Sequence, residues 1–375
     1  MTSLRSALKS ATALAAFSLS FPLASWAEEP LPVVATFSIL GDMVERIDGE
    51  HIALTTLVGP DGDAHVYQPT PKVARSVAEA DVLFLNGLEF EGWLERLAEA
   101  ASFGGAMVVA TKGVVPIAFD DHDEHDDHDD HDEHDDHDDH AEHDDHDDHD
   151  KHDDHDDHAD HDDHDDHEKH DDHDDHDDHD DHDEHDEHDD HDDHAGHDHG
   201  AFDPHAWQSL ENAVIYANNI AAGLAQADPE NAGDYYANRA AFITEVETLR
   251  ADIGAMMKSL PADKRTVVTP HDAFGYFAAT YDLTFVAPQG MSTDSEVSAA
   301  DVAALITQIR EESISAVFIE SITDNRMMQQ IANETGATIG GTLYSDALSA
   351  QSGPASTYLD MMRHNATTLF DALGN

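Results

Sequence analysis

Cysteine is absent from all 375 residues. No disulfide and no thiolate metal site can form. Nor does any cysteine offer an acceptor for a lipid anchor. Positive charge is scarce: 17 Lys and Arg stand against 83 Asp and Glu, for a formal net charge of −66. Little basic charge is available to neutralise phosphates, which disfavours nucleic acid, and no nucleic-acid partner is expected. The same deficit disfavours docking on an anionic membrane surface. Long apolar runs are also missing. The single candidate, Ala11 to Leu23, is too short to span a bilayer comfortably. Arg5 and Lys9 precede it, and Ser25-Trp26-Ala27 places small residues at −3 and −1. Residues 1–27 therefore read as a secretory signal peptide cut before Glu28. A membrane anchor is the alternative. The mature chain is expected to be soluble, in a bacterial periplasm.

The charge is unevenly placed. Residues 120–200 hold 27 of the 32 histidines, with 47 acidic residues and 2 lysines, so this tract alone carries −45. Histidine recurs at every third position from His122 to His197, and again at His199. No apolar residue larger than Ala interrupts it, so burial cannot offset chain entropy, and a disordered loop is expected. Imidazoles are common metal ligands, and the carboxylates concentrate divalent cations. The expected sites are multiple, exchanging and weak. An acidic spacer is the competing reading, but Asp alone would serve for that. The repeat lacks the central Gly of an EF-hand and the His-Glu-x-x-His of a metalloprotease.

The remaining 294 residues have ordinary composition and alternate strand and helix patterns. Short apolar runs such as Val33–Phe37, Ile52–Val58 and Val82–Leu85 suit buried strands, and helical periodicity follows each. The rhythm restarts after Pro261, with strands at Thr266–Thr269, Leu283–Ala287, Ile314–Glu320 and Ala337–Leu343. The fold class is α/β: two lobes with parallel sheets. The organisation is a first lobe over 28–119, the tract at 120–200, completion of that lobe over 201–227, a connecting helix over 228–260 and a second lobe over 261–375. Pro229 is placed to open the connecting helix. About 30 residues of helix would span about 45 Å, suiting a strut between lobes.

Five histidines lie outside the tract: His51, His65, His205, His271 and His364. His65 and His271 each follow a strand, one in each lobe. Ligands bind outside the carboxyl ends of strands in open α/β sheets. His205 lies where the polar tract gives way to foldable chain, and Asp346 follows the strand ending at Leu343. Three imidazoles and one carboxylate make a reasonable tetrahedral zinc shell. The residues alone leave each histidine open to a second reading, a loop residue bonded to backbone. His51, at a polar turn, and His364, on a polar helix face, read as surface residues.

The segments around these residues resemble a known family. They are His65-Val66-Tyr67-Gln68-Pro69-Thr70-Pro71, Asp203-Pro204-His205-Ala206-Trp207 and His271-Asp272-Ala273-Phe274-Gly275-Tyr276. Gly341-Thr342-Leu343-Tyr344-Ser345-Asp346-Ala347-Leu348 closes the set. Together with a His/Asp-rich insertion ahead of the second histidine, they resemble the cluster A-I periplasmic metal-binding proteins, in the zinc-uptake (ZnuA-like) branch that serves ABC transporters. The resemblance implies two Rossmann-like lobes joined by a long rigid helix, with a metal cleft between them. It also implies His65, His205, His271 and Asp346 as the metal ligands. His271 stands where manganese-binding relatives typically carry a carboxylate, which favours zinc. Ala64 stands where some zinc-binding relatives carry an acidic residue, so Asp346 or water completes the shell.

The expected function is a periplasmic receptor that captures Zn2+ and delivers it to an ABC-transporter permease, with no catalytic residues. One tight cleft ion and additional weaker ions in 120–200 are expected. The expected partners are zinc ions, the permease and periplasmic zinc chaperones, and a monomer is expected. Asp203 is expected to orient a ligand ring or loop. The alternatives are a manganese or iron receptor of the same class, a zinc hydrolase and a metal store.

Overall fold

The structure is a computed structural model that describes residues 29–118, 201–294 and 297–374. The expected signal segment, 1–27, and the whole of the 120–200 tract lie outside the described residues. The described residues all fall in one compact unit.

The first half begins with β1 (Leu31–Phe37), which runs straight into α1 (Ser38–Asp48). Ile39, Leu40, Met43, Val44 and Ile47 recur at helical spacing, and all five are buried. Gly49 ends the helix at φ 66°, a left-handed conformation that glycine adopts without a Cβ clash. β2 (Ile52–Val58), α2 (Pro71–Ala78), β3 (Val82–Leu85), α3 (Leu94–Ala101) and β4 (Ala106–Val109) follow. The four strands form a parallel sheet in the order β2-β1-β3-β4.

After the tract come a single 3₁₀ turn (Ala206–Gln208), α4 (Leu210–Ala227) and α5 (Ala232–Lys258). Pro229 does not open α5. The Asp228 carboxylate accepts from the Asn231 backbone N–H, the Asn231 amide and the Tyr235 hydroxyl, so a turn occupies 228–231 and Asn231 becomes the cap. α5 has 27 residues and is thus about 40 Å long. It buries Tyr235, Phe242, Val246, Leu249, Ile253 and Met257 along one stripe.

The second half repeats the first. It contains β5 (Thr266–Val268), α6 (Gly275–Tyr281), β6 (Thr284–Val286), α7 (Ala299–Glu311), β7 (Ala316–Glu320), α8 (Arg326–Thr335), β8 (Thr338–Leu343) and α9 (Tyr358–Leu373). Its parallel sheet has the order β6-β5-β7-β8, the same pattern of crossovers as the first. One apolar cluster runs from the first sheet through α4 and α5 into α6 and α9. A smaller one packs α7 and α8 on Val268 and Val317. In both halves the strands point their carboxyl ends at loops that carry the candidate functional residues.

Candidate metal centre

Each candidate side chain is fixed by local chemistry. His65 lies in the loop after β2. The Asp63 carboxylate accepts its backbone N–H at 2.9 Å, and the Trp93 indole donates to the neighbouring Ala64 carbonyl at 2.7 Å. The Phe90 ring stands edge-on to the His65 ring at 4.8 Å. Phe90 follows three consecutive left-handed residues, Gly87, Leu88 and Glu89. Buried Glu91 fastens that loop by accepting from the Thr36 hydroxyl at 2.6 Å and the Asn86 N–H at 2.7 Å. Burial raises the Glu91 carboxyl above the usual range.

His205 caps the 3₁₀ turn. Oδ1 of Asp203 accepts its backbone N–H at 2.8 Å and stands 2.8 Å from ring Nδ1. Asp203 thus fixes both the loop and the ring, the role expected of it. His271 follows β5, where pairing with Gln289 prolongs the sheet by one bridge. Its Nδ1 lies 2.5 Å from Oε2 of Glu320, the last residue of β7. The Ser345 hydroxyl donates to that same oxygen at 2.8 Å, which binds the loop of Asp346 to the ring of His271.

The structure brings His65, His205, His271 and Asp346 together. One donor atom from each lies within 4.8 Å of all the others. Nε2 of His271 is 3.1 Å, and Nε2 of His65 3.3 Å, from Asp346 Oδ2. Nε2 of His205 is 3.6 Å from Asp346 Oδ1 and 3.4 Å from Nε2 of His65. All four side chains are buried, with His65 the most accessible at 5%. Asp346 Oδ1 has no hydrogen-bond partner among the described residues. An orphaned, fully buried carboxylate oxygen is costly, and a cation among these donors would satisfy it.

Charge is concentrated as well as donors. Burial alone would lower the His271 ring, but the carboxylates of Glu320 and Asp346 outweigh it and raise that ring well above its ordinary value. His205 behaves alike: burial lowers it, and Asp346 with Asp203 raises it further. Burial would raise Asp346, yet His271 and His205 hold it well below the usual carboxylate range. The carboxylates therefore favour positive charge at this point, whether from protons or from a divalent cation.

The other two histidines lie elsewhere. His51 stands 3.0 Å from Asp234, and His364 stands 3.0 Å from the Thr342 carbonyl oxygen. Glu320 was not foreseen. It ends the run Ala316-Val317-Phe318-Ile319, where an acid at the carboxyl end of a buried strand was the available signal.

A family model described as the periplasmic component A of the zinc-uptake complex matches residues 33–372. The chain belongs to this family. The manganese-binding lipoprotein MntA of Halalkalibacterium halodurans is 25% identical over 346 residues, 92% of this chain and 89% of that protein. The iron-binding protein YfeA of Yersinia pestis is 26% identical, over 91% of this chain and 86% of its own length. The solved periplasmic zinc-binding protein TroA of Treponema pallidum superposes with a TM-score of 0.68. It is 22% identical and covers 92% of this chain and 99% of its own, which speaks for the fold alone. Zinc-uptake component A proteins are substrate-binding components of metal ABC transporters, not enzymes, and the hydrolase reading falls with that. They bind divalent metal outside the cytoplasm and work with a membrane permease.

Proposed function

We propose that this chain is a zinc receptor. It captures Zn2+ with His65, His205, His271 and Asp346 and delivers the ion to its permease. The observation that supports zinc most directly is the donor set, three imidazole nitrogens and one carboxylate oxygen within 4.8 Å. Zinc takes nitrogen and oxygen donors tetrahedrally, whereas manganese prefers oxygen-rich octahedral shells. The 120–200 tract collects further ions weakly. In this reading residues 1–27 are a cleaved signal peptide, 28–119 with 201–227 form one lobe, 228–260 the connector and 261–375 the other lobe. The receptor acts as a periplasmic monomer that periplasmic zinc chaperones can feed.

The test is competition of Zn2+, Mn2+ and Fe2+ for the metal-free full chain, followed by His205→Ala. Zinc should win, and the variant should lose the tight site but keep the weak ones. Deleting 120–200 should remove the weak sites and leave one tight ion. The manganese-binding and iron-binding relatives supply the second reading. Retention of Mn2+ or Fe2+ against equal Zn2+ would establish it.

A further inference from the structure

Beside α3 the first sheet ends in β4, a strand whose outer edge no other strand pairs among the described residues. Its sequence, Ala106-Met107-Val108-Val109, has neither charge nor proline. Edges of this kind are normally blunted by Lys or Pro, because bare apolar edges recruit other chains. Val108 faces α4, since a Cβ on Gly223 would meet its methyls at 2.8 Å. Alternation turns Met107 and Val109 to the opposite side, where they are 49% and 37% exposed.

That side is a groove of about 780 Å³. Leu85, Leu94, Ala98, Phe103 and Met107 give it an apolar floor. Glu89, Glu95 and Glu99 stand on its rim, and none of the residues lining it is basic. Glu95 and Glu99 are four residues apart on α3, so they share one helix face. An apolar groove rimmed by one sign of charge suits a partner of the opposite sign, and the rim selects it.

We infer that this groove docks a cationic amphipathic polypeptide segment of another protein, with apolar side chains on Met107 and Phe103 and Lys or Arg side chains against Glu89, Glu95 and Glu99. Charge argues against the internal candidates. The 120–200 tract is itself acidic, and a second copy would bring another net charge of −66. The groove involves none of the four clustered side chains, although Gly87, Glu89 and Glu91 in its wall belong to the loop that sets Phe90 against His65.

The probe is a short amphipathic Leu/Lys peptide, titrated into the full chain labelled with ¹³C at the methionine methyls. A Met107→Leu variant assigns the Met107 resonance. That resonance should move and saturate. Glu95→Lys combined with Glu99→Lys should weaken the response about tenfold while leaving cleft metal binding unchanged. A Leu/Glu peptide of the same apolar pattern should give no shift. Three results would overturn the inference: peptide binding with Met107 unmoved, which places the peptide on the acidic tract; equal shifts from the Leu/Glu peptide; or a shift that follows protein concentration without peptide, which makes a second copy the occupant.

Discussion

Replacing Glu320 by Gln removes one charge and one acceptor while keeping the shape. Glu320 stands 2.5 Å from His271 Nδ1 and accepts from the His271 backbone N–H at 3.3 Å and the Ser345 hydroxyl at 2.8 Å. All of this is buried. A glutamine has one acceptor oxygen. If that oxygen takes the place of Oε2, beside Nδ1 and the Ser345 hydroxyl, its amide faces the His271 backbone N–H. Losing a hydrogen bond to a charged group costs about 1.5–3 kcal/mol. That agrees with the roughly 10–100-fold loss of metal affinity typical when the partner of a metal-bound histidine is removed. The sign of the pH effect separates this role from simple disturbance. Glu320 is the first of the carboxylates raising His271, so in the parent a proton competes harder for that ring at low pH. The variant's His271 moves back toward its ordinary value and meets less competition. Its affinity deficit should therefore be widest at high pH and narrow as pH falls. The assay is Co2+ or Zn2+ competition on the full chain, with the tetrahedral cobalt spectrum marking the cleft ion. An unchanged affinity, or a deficit that widens as pH falls, would refute the reasoning.

Three other outcomes follow from the same geometry. A Cβ on Gly275 would meet Asp203 Oδ2 at 2.5 Å, so Gly275→Ala should push that carboxylate off His205 and cost about tenfold in metal affinity by titration. His205 and His271 are both raised, so metal binding should expel protons from these rings, and more of them as pH falls, read from calorimetry in buffers of different ionisation enthalpy; Asp346, held low, should contribute none. In the metal-free chain the contacts of those rings stabilise fully below about pH 6.5 and are lost as pH rises through the raised folded values. Burial pushes the Asp42 carboxyl up to about 6, so ionising it costs stability between about pH 4 and 6 and above. Asp42→Asn keeps an acceptor for the Tyr358 N–H and should add about 1–2 kcal/mol at pH 8 but little at pH 4, measured by chemical denaturation.

Local pattern made the two sheets legible. Val33–Phe37 and Ala316–Glu320 are short apolar runs flanked by helical periodicity, and parallel strands buried on both faces read that way. His65, His271 and Asp346 could be singled out because each follows such a run. Three features could not be read. Pro229 is an acceptable first residue for a helix, and only the side-chain bonds of Asp228 show that a turn takes its place. Glu320 reads in the sequence only as the last residue of a strand. Its partners, His271 and Ser345, are 49 and 25 residues away, and no spacing rule reaches that far. The bonds between the halves are equally non-local: the Trp207 indole and the Gln208 amide both donate to the Ser345 carbonyl, 138 and 137 residues away.

Those bonds bear on how an ion could leave the cluster. The Leu348 N–H donates to the Ser38 hydroxyl, the Tyr358 hydroxyl donates to the Trp207 carbonyl, and the Thr293 hydroxyl donates to Asp63. Parting the halves widely would break several buried hydrogen bonds at once, each costing about 1–3 kcal/mol when its partner is left unsatisfied. Loosening one loop costs less. Among the four clustered side chains His65 is the most accessible, and it alone has no carboxylate beyond Asp346 on its ring among the described residues. Its loop is held by the Trp93 bond to the Ala64 carbonyl and, toward the second half, by the Asp63–Thr293 bond, which is only part-buried. Release is therefore predicted to begin at residues 63–67, with His205 and His271 still held by Asp203 and Glu320. Amide exchange of the metal-free chain should be faster at 63–67 than at 203–207 or 269–273, and Thr293→Val should speed metal loss more than it speeds global unfolding. Equal protection of all three segments, or a Thr293→Val chain whose metal loss merely tracks unfolding, would instead place the opening at the bonds between the two halves.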